Sequence, residues 1–133
     1  MKTKSVQNGV LFYLNESGNV VDIDVDAGIK SVVIDDNVSM LESNKSFPDV
    51  EQLVINDCVE KISIWNKLFP NVKNIDSHSS DFASGEYLVE YTYAMNMKLL
   101  NVFFHDEDEE IDMTGINRIG EFAFQDCKYF KYY

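Results

Sequence analysis

The feature that most constrains this chain is an apolar spacing that recurs from Ile29 onward. Phe47, Val50, Leu53, Ile55, Val59 and Ile62 stand at offsets 0, 3, 6, 8, 12 and 15. Ile29, Val32, Ile34, Val38 and Leu41 repeat the later part of that series, at offsets 3, 6, 8, 12 and 15. Phe69, Val72 and Ile75 restart it, Met97, Leu100 and Phe103 do so again, and Cys127, Phe130 and Tyr133 do so at the end. The anchors Phe47, Phe69, Met97 and Cys127 are 22, 28 and 30 residues apart. A short period with later insertions predicts a solenoid, in which each coil buries its apolar edge only against its neighbours. The shared punctuation Phe47-Pro48-Asp49-Val50 and Phe69-Pro70-Asn71-Val72 marks one turn used twice.

Ahead of the repeats, Gly9–Leu14 is β-branched and aromatic, and Asn15–Asn19 carries turn chemistry. The return run alternates, with Val21, Ile23 and Val25 assigned to one face and Asp22, Asp24 and Asp26 to the other. The expected organisation is one domain over 1–133, with a hairpin cap over 1–28 and about four degenerate repeats over 29–133.

Near the C-terminus, Ile116, Ile119, Gly120, Ala123, Phe124, Cys127 and Phe130 keep one unbroken register. In these positions the chain resembles the BspA-type leucine-rich repeat, whose unit runs V-x-x-I-G-x-x-A-F-x-x-C-x-x-L. The runs Val32–Val38 and Leu53–Val59 are similar to its strand and turn, with Asp35 and Asn56 where the family prefers proline. Trp65 departs from the pattern, standing where the family places Gly-x-x-Ala-Phe. The resemblance implies an α/β repeat that is β-rich: a short, irregular leucine-rich-repeat solenoid with an N-terminal β-hairpin cap and few short helices. It implies interaction through the strand face and carries over no catalytic residue. Ala123 would be small so that coils can approach, with Phe124 and Cys127 pointing inward.

The charge balance limits the partners. Asp and Glu number 23 against 11 Lys and Arg, a formal net of −12. Such a surface repels a phosphate backbone and an anionic membrane, so neither is expected as a direct partner. It suits a basic protein, whose approach would be steered by the field. Without a signal-type leader or a long apolar run in the sequence, the expected location is cytoplasmic, or the surface or exterior if a leader was removed.

No motif points to catalysis, a metal or a cofactor. Asp22, Asp24 and Asp26 suggest a calcium loop, but Ala27 and Val33 hold the places that need glycine and an acidic ligand. His78 adjoins Ser79 and Ser80, and neighbours in an extended chain diverge rather than form a triad. The run His105–Glu110 reads as an inserted acidic loop, and the Tyr129–Tyr133 tail as a final strand without a polar cap.

The expected role is therefore a non-enzymatic protein-interaction module. Its face would be lined by Ser31, Val33, Gln52, Val54, Asn74, Asp76, Val102, Phe104 and Tyr132. The uncapped C-terminal edge offers either that partner or a second copy of the chain a pairing surface. The alternative is a small acidic inhibitor or immunity-type protein. It would occupy a basic, nucleic-acid-binding type of cleft through Asp106, Glu107, Asp108, Glu109 and Glu110, together with Asp22, Asp24 and Asp26.

Overall fold

The solenoid strands form where β-branched and other apolar residues alternate with more polar ones in short runs closed by turn residues. The computed structural model describes residues 2–41, 44–104, 111–121 and 123–125. In chain order the strands are β1 (Lys2–Gln7), β2 (Val10–Leu14), β3 (Val20–Val25), β4 (Ser31–Ile34), β5 (Val38–Leu41) and β6 (Gln52–Ile55). They continue as β7 (Ile62–Ile64), β8 (Asn74–Ser77), β9 (Phe82–Ala83), β10 (Leu88–Tyr91), β11 (Met97–Asn101) and β12 (Ile116–Ile119). Among the described residues, helical turns are confined to two short 3-10 segments, Asn66–Leu68 and Tyr93–Met95.

The chain is a β-solenoid of about four turns. β4, β6 and β8 stack parallel and in register, with Val32, Leu53 and Ile75 aligned in one row. On the other side β3, β5 and β7 pair in parallel through Val20, Val38 and Ile62. The interior between these two sheets is filled by the residues that the recurrent spacing marks. Val32, Val50, Leu53, Ile55, Val59, Val72 and Ile75 are all at most 1% exposed, which makes them the axis of the core. Ile29 and Phe47 pack against that core while only partly buried.

The repeated turn is one structure used twice. Val50 N–H donates to the Phe47 carbonyl and Val72 N–H to that of Phe69, both at 3.3 Å. The Asn71 amide then reaches the Pro48 carbonyl at 2.8 Å, joining successive turns. Behind them runs an aromatic column. Phe47 and Phe69 have ring centroids 6.2 Å apart, and Phe103 meets Phe69 edge-on at 6.5 Å.

The cap is larger than a hairpin. β1 pairs antiparallel with β2, and β2 with β3, giving a three-stranded meander whose last strand joins the solenoid. β1 carries no apolar alternation because it is an edge strand and mostly exposed. The facing of β3 also differs from simple alternation. An irregularity between Tyr13 and Leu14 brings Val20 opposite Leu14, so Val20 and Ile23 are buried while Val21 is only half-buried.

The ladder ends earlier than the spacing predicts. Met97, Leu100 and Phe103 were expected to restart it, but the open edge of β8 is taken by Gly85. Ile75 and Gly85 exchange backbone hydrogen bonds of 2.7 and 3.0 Å. The chain then turns into an antiparallel set, β9, β10 and β11, against which β12 lies parallel. In this register Leu99 and Asn101 are the buried residues of β11, while Leu100 is half-buried against the main core. Leu99, Val102 and Ala123 form the centre of a second apolar cluster with Tyr87 and Val89. Phe124 packs against this cluster, while Ile119 stands 56% exposed on the terminal strand β12.

Gly120 has a direct steric reason. Its N–H donates to the Leu99 carbonyl at 2.7 Å, and a Cβ there would sit 2.8 Å from that same oxygen. A buried amide pair joins the two clusters. Asn101 Nδ2 donates to the Ile64 carbonyl at 3.0 Å and to Asn66 Oδ1 at 2.7 Å. Asn66 Nδ2 in turn donates to the carbonyls of Ala123 and Gln125 at 3.1 and 2.7 Å. Trp65, just before Asn66, is half-buried with Lys67 Nζ 5.3 Å from its ring centroid.

Because Phe69 sits at the middle of the aromatic column and is 1% exposed, Phe69→Ala is expected to cost about 3–5 kcal/mol. Phe47→Ala, at a half-buried site, should cost clearly less. Urea unfolding of both variants against the parent checks the order.

Candidate functional site

Alternation within the parallel ladder fixes which side chains face outward. The register sets Ser31, Gln52 and Asn74 in one column, and Val33, Val54 and Asp76 in the next. Gln52, Val54, Asn74 and Asp76 are thus brought together on one face, as the sequence predicts.

The first column is hydrogen-bonded along its length. Ser31 Oγ donates to Gln52 Oε1 at 2.8 Å, and Gln52 Nε2 donates to Asn74 Oδ1 at 2.7 Å. At its near end Gln7 of β1 stands in for the next strand. Its Nε2 donates to the Ser31 carbonyl at 2.8 Å, and its Oε1 accepts from Val33 N–H at 2.6 Å. Gln7 was not foreseen, since a polar residue on a polar strand gives no sequence signal. In the second column Val33 and Val54 are half-buried neighbours, and His78 Nε2 lies 3.4 Å from Asp76 Oδ2.

A third polar row follows the strand ends. Asn56 Nδ2 donates to Asp35 Oδ1 at 2.7 Å, and Lys4 Nζ reaches Asp35 and Asp36 at 2.9 and 3.0 Å. Asn56 first and Lys4 second hold the Asp35 carboxyl below the usual carboxylate range. Cys58 Sγ donates to the Asp35 carbonyl at 2.9 Å. Partial desolvation, and then the Asp35 charge, push its thiol up, so it is not an activated nucleophile.

Val102 is a correction. It was expected on the outer face, yet it is fully buried in the second cluster, with its N–H donating to the Ala123 carbonyl at 2.9 Å. The reason is the break at Gly85, which takes the chain out of the ladder before residue 102. Phe104 is half-buried, with Lys73 Nζ 5.2 Å from its ring centroid, and so lies outside the strand register. Asp106, Glu107, Asp108, Glu109, Glu110 and Tyr132, like His105, Cys127 and Phe130, lie outside the described residues.

On β3 the aspartates are unequal. Lys45 Nζ bridges Asp24 at 2.8 Å and Asp22 at 3.2 Å, and Tyr13 Oη donates to Asp24 at 2.7 Å. Lys45 first, with Tyr13, keeps the Asp24 carboxyl below its ordinary range, while the same bond raises the Tyr13 phenol. Ser79 beside His78 is committed to structure, its buried hydroxyl donating to the Val59 carbonyl at 2.6 Å. Among the described residues no three His, Cys, Asp or Glu side chains gather closely enough to hold a metal ion. No described helix is long and apolar enough to cross a membrane.

The result is a strand face on which Ser31, Gln52 and Asn74 are bonded in succession and Val33 and Val54 stand in the column beside them. None of the known family models, curated proteins or solved structures compared with this chain matches it.

Asp35 provides a pH test. A carboxyl held low in the folded state adds stability above its unfolded pKa of about 3.9, and that stability is lost as pH falls through the lower folded value. The parent should lose stability on acidification below about pH 4. Asp35→Asn should start less stable at pH 7 and show a shallower acid limb in urea midpoints measured from pH 7 downward.

Proposed function

We propose that the chain is a non-catalytic protein-interaction module that binds through the outward face of β4, β6 and β8. The observation that carries this reading is the Val33–Val54 pair, in register and half-buried, flanked by the hydrogen-bonded column Ser31–Gln52–Asn74. The two bonds along that column lessen the number a covering partner must supply, while the valines gain from exclusion of water. An apolar centre with a polar margin is the usual anatomy of a contact surface. The resemblance to the BspA-type repeat points the same way, and the C-terminal edge would extend the surface.

The acidic-inhibitor reading has less support. It draws its charge from Asp106–Glu110 and from β3, where Lys45 already answers Asp22 and Asp24.

The test compares immobilised parent, Val54→Lys and Lys61→Glu as baits in native lysate, at low and high salt. Val54→Lys should reduce the parent's retained partner by about tenfold or more, the scale set by an unpaired charge at an interface centre. Lys61→Glu, away from the face, should not. Full retention by Val54→Lys would reject the strand face. Binding abolished by salt alone, with Val54→Lys unaffected, would favour the acidic reading.

A further inference from the structure

Where the chain enters β4 and β6, two successive turns leave a cavity of about 210 Å³ between them. Its apolar wall is built from Val25, Ile29, Phe47 and Val50, and the exposed residues Asp26 and Asp49 stand among those that line it. Pockets for drug-sized ligands run from about 300 to 1,000 Å³, so this one suits a single side chain.

The walls are held in place by the repeat itself. Gly28 N–H donates to Asp49 Oδ2 at 2.9 Å, clamping one turn to the next, and Gly28 takes a φ of 87° that suits glycine. Asp26 N–H is fixed to the Gly9 carbonyl at 2.8 Å, and Glu51 N–H to that of Lys30 at 2.8 Å. Phe47 is braced by Phe69.

The charge here is uncompensated. Asp26 makes no side-chain bond or ion pair with any described residue, and Asp49 uses one oxygen, towards a neutral amide. Lys45, one residue before the loop, is instead drawn to Asp22 and Asp24. An apolar wall with an aromatic ring, beside two aspartates that no described cation pairs, calls for a long apolar stem that ends in a cation. The guanidinium fits this better than an ammonium, being more weakly hydrated, able to stack on an aromatic and able to meet two carboxylates at once.

We propose that this pocket receives a basic side chain, arginine in preference to lysine, presented by a protein partner. The inference names the kind of partner for a protein-binding reading of the chain. It concerns a different place from the Val33–Val54 face, so either can fail alone.

The experiment uses the ¹⁵N-labelled full chain and a blocked pentapeptide with arginine between pairs of glycines. Saturable shifts are expected at the amides of Gly28, Ile29, Asp49 and Val50, with affinity on the order of millimolar for so small a ligand. The same peptide with citrulline, which keeps the shape and lacks the charge, should bind at least about threefold more weakly. Asp26→Asn should weaken the arginine peptide by a similar factor, with its spectrum otherwise matching the parent. Equal binding of the citrulline peptide would overturn the proposal. So would shifts scattered over the acidic surface without saturation, or spermidine binding the pocket more tightly than the peptide. Since no strand-face residue is altered, none of these outcomes depends on the fate of the Val54 test.

Discussion

The in-register parallel pairing of β4, β6 and β8 is the constraint on which the rest of this structure depends. Residues 21 and 22 apart in sequence become neighbours across the ladder, as the Ser31–Gln52 and Gln52–Asn74 bonds record. Once that offset is set, each row must be uniform in character. Inward rows are aliphatic, the outer rows run Ser31–Gln52–Asn74 and Val33–Val54–Asp76, and the turn row couples Asp35 to Asn56. A one-residue slip would turn Leu53 and Ile55 outward and bring Gln52 and Val54 in, so the buried set itself enforces the register.

A parallel ladder carries two unpaired edges, and here each is closed locally. Gln7 places a side-chain amide against β4, imitating the backbone of a further strand. At the far side Gly85 bonds to Ile75 and ends the stack after β8. These closures limit strand addition at the described edges of this sheet. They leave the outward face of this sheet, rather than its edges, open to contact. The buried Asn66–Asn101 pair then attaches the C-terminal sheet without prolonging the ladder. The same offset creates the pocket, because the turns before β4 and β6 lie side by side and enclose space between them.

Much of this was legible from residue order. The recurring spacing identified the buried rows from Val32 to Ile75 and the outward positions Gln52, Val54, Asn74 and Asp76, because period and burial share one cause in a stacked repeat. The fourth restart holds only in part, for a physical reason. Phe103 is buried in the main core and Leu100 packs against it, but the β10–β11 hairpin intervenes, and antiparallel pairing buries Leu99 in the second cluster. Val102 moved inward for the same reason. β1 escaped notice since an exposed edge strand needs no apolar alternation. Gln7, Lys45 and the asparagine pair were invisible because each acts through a contact distant in sequence. The Asp26–Asp49 pocket likewise needs two turns brought together, which neither turn announces alone.

If the β4–β6–β8 ladder is the structural centre, its middle strand should be the last part to open. Amide hydrogen exchange, read residue by residue under native conditions, measures that directly. The account predicts the slowest exchange at hydrogen-bonded amides of β6, which is paired on both sides, and faster exchange in β10–β12. Slowest exchange in β10–β12, with β6 opening early, would contradict it.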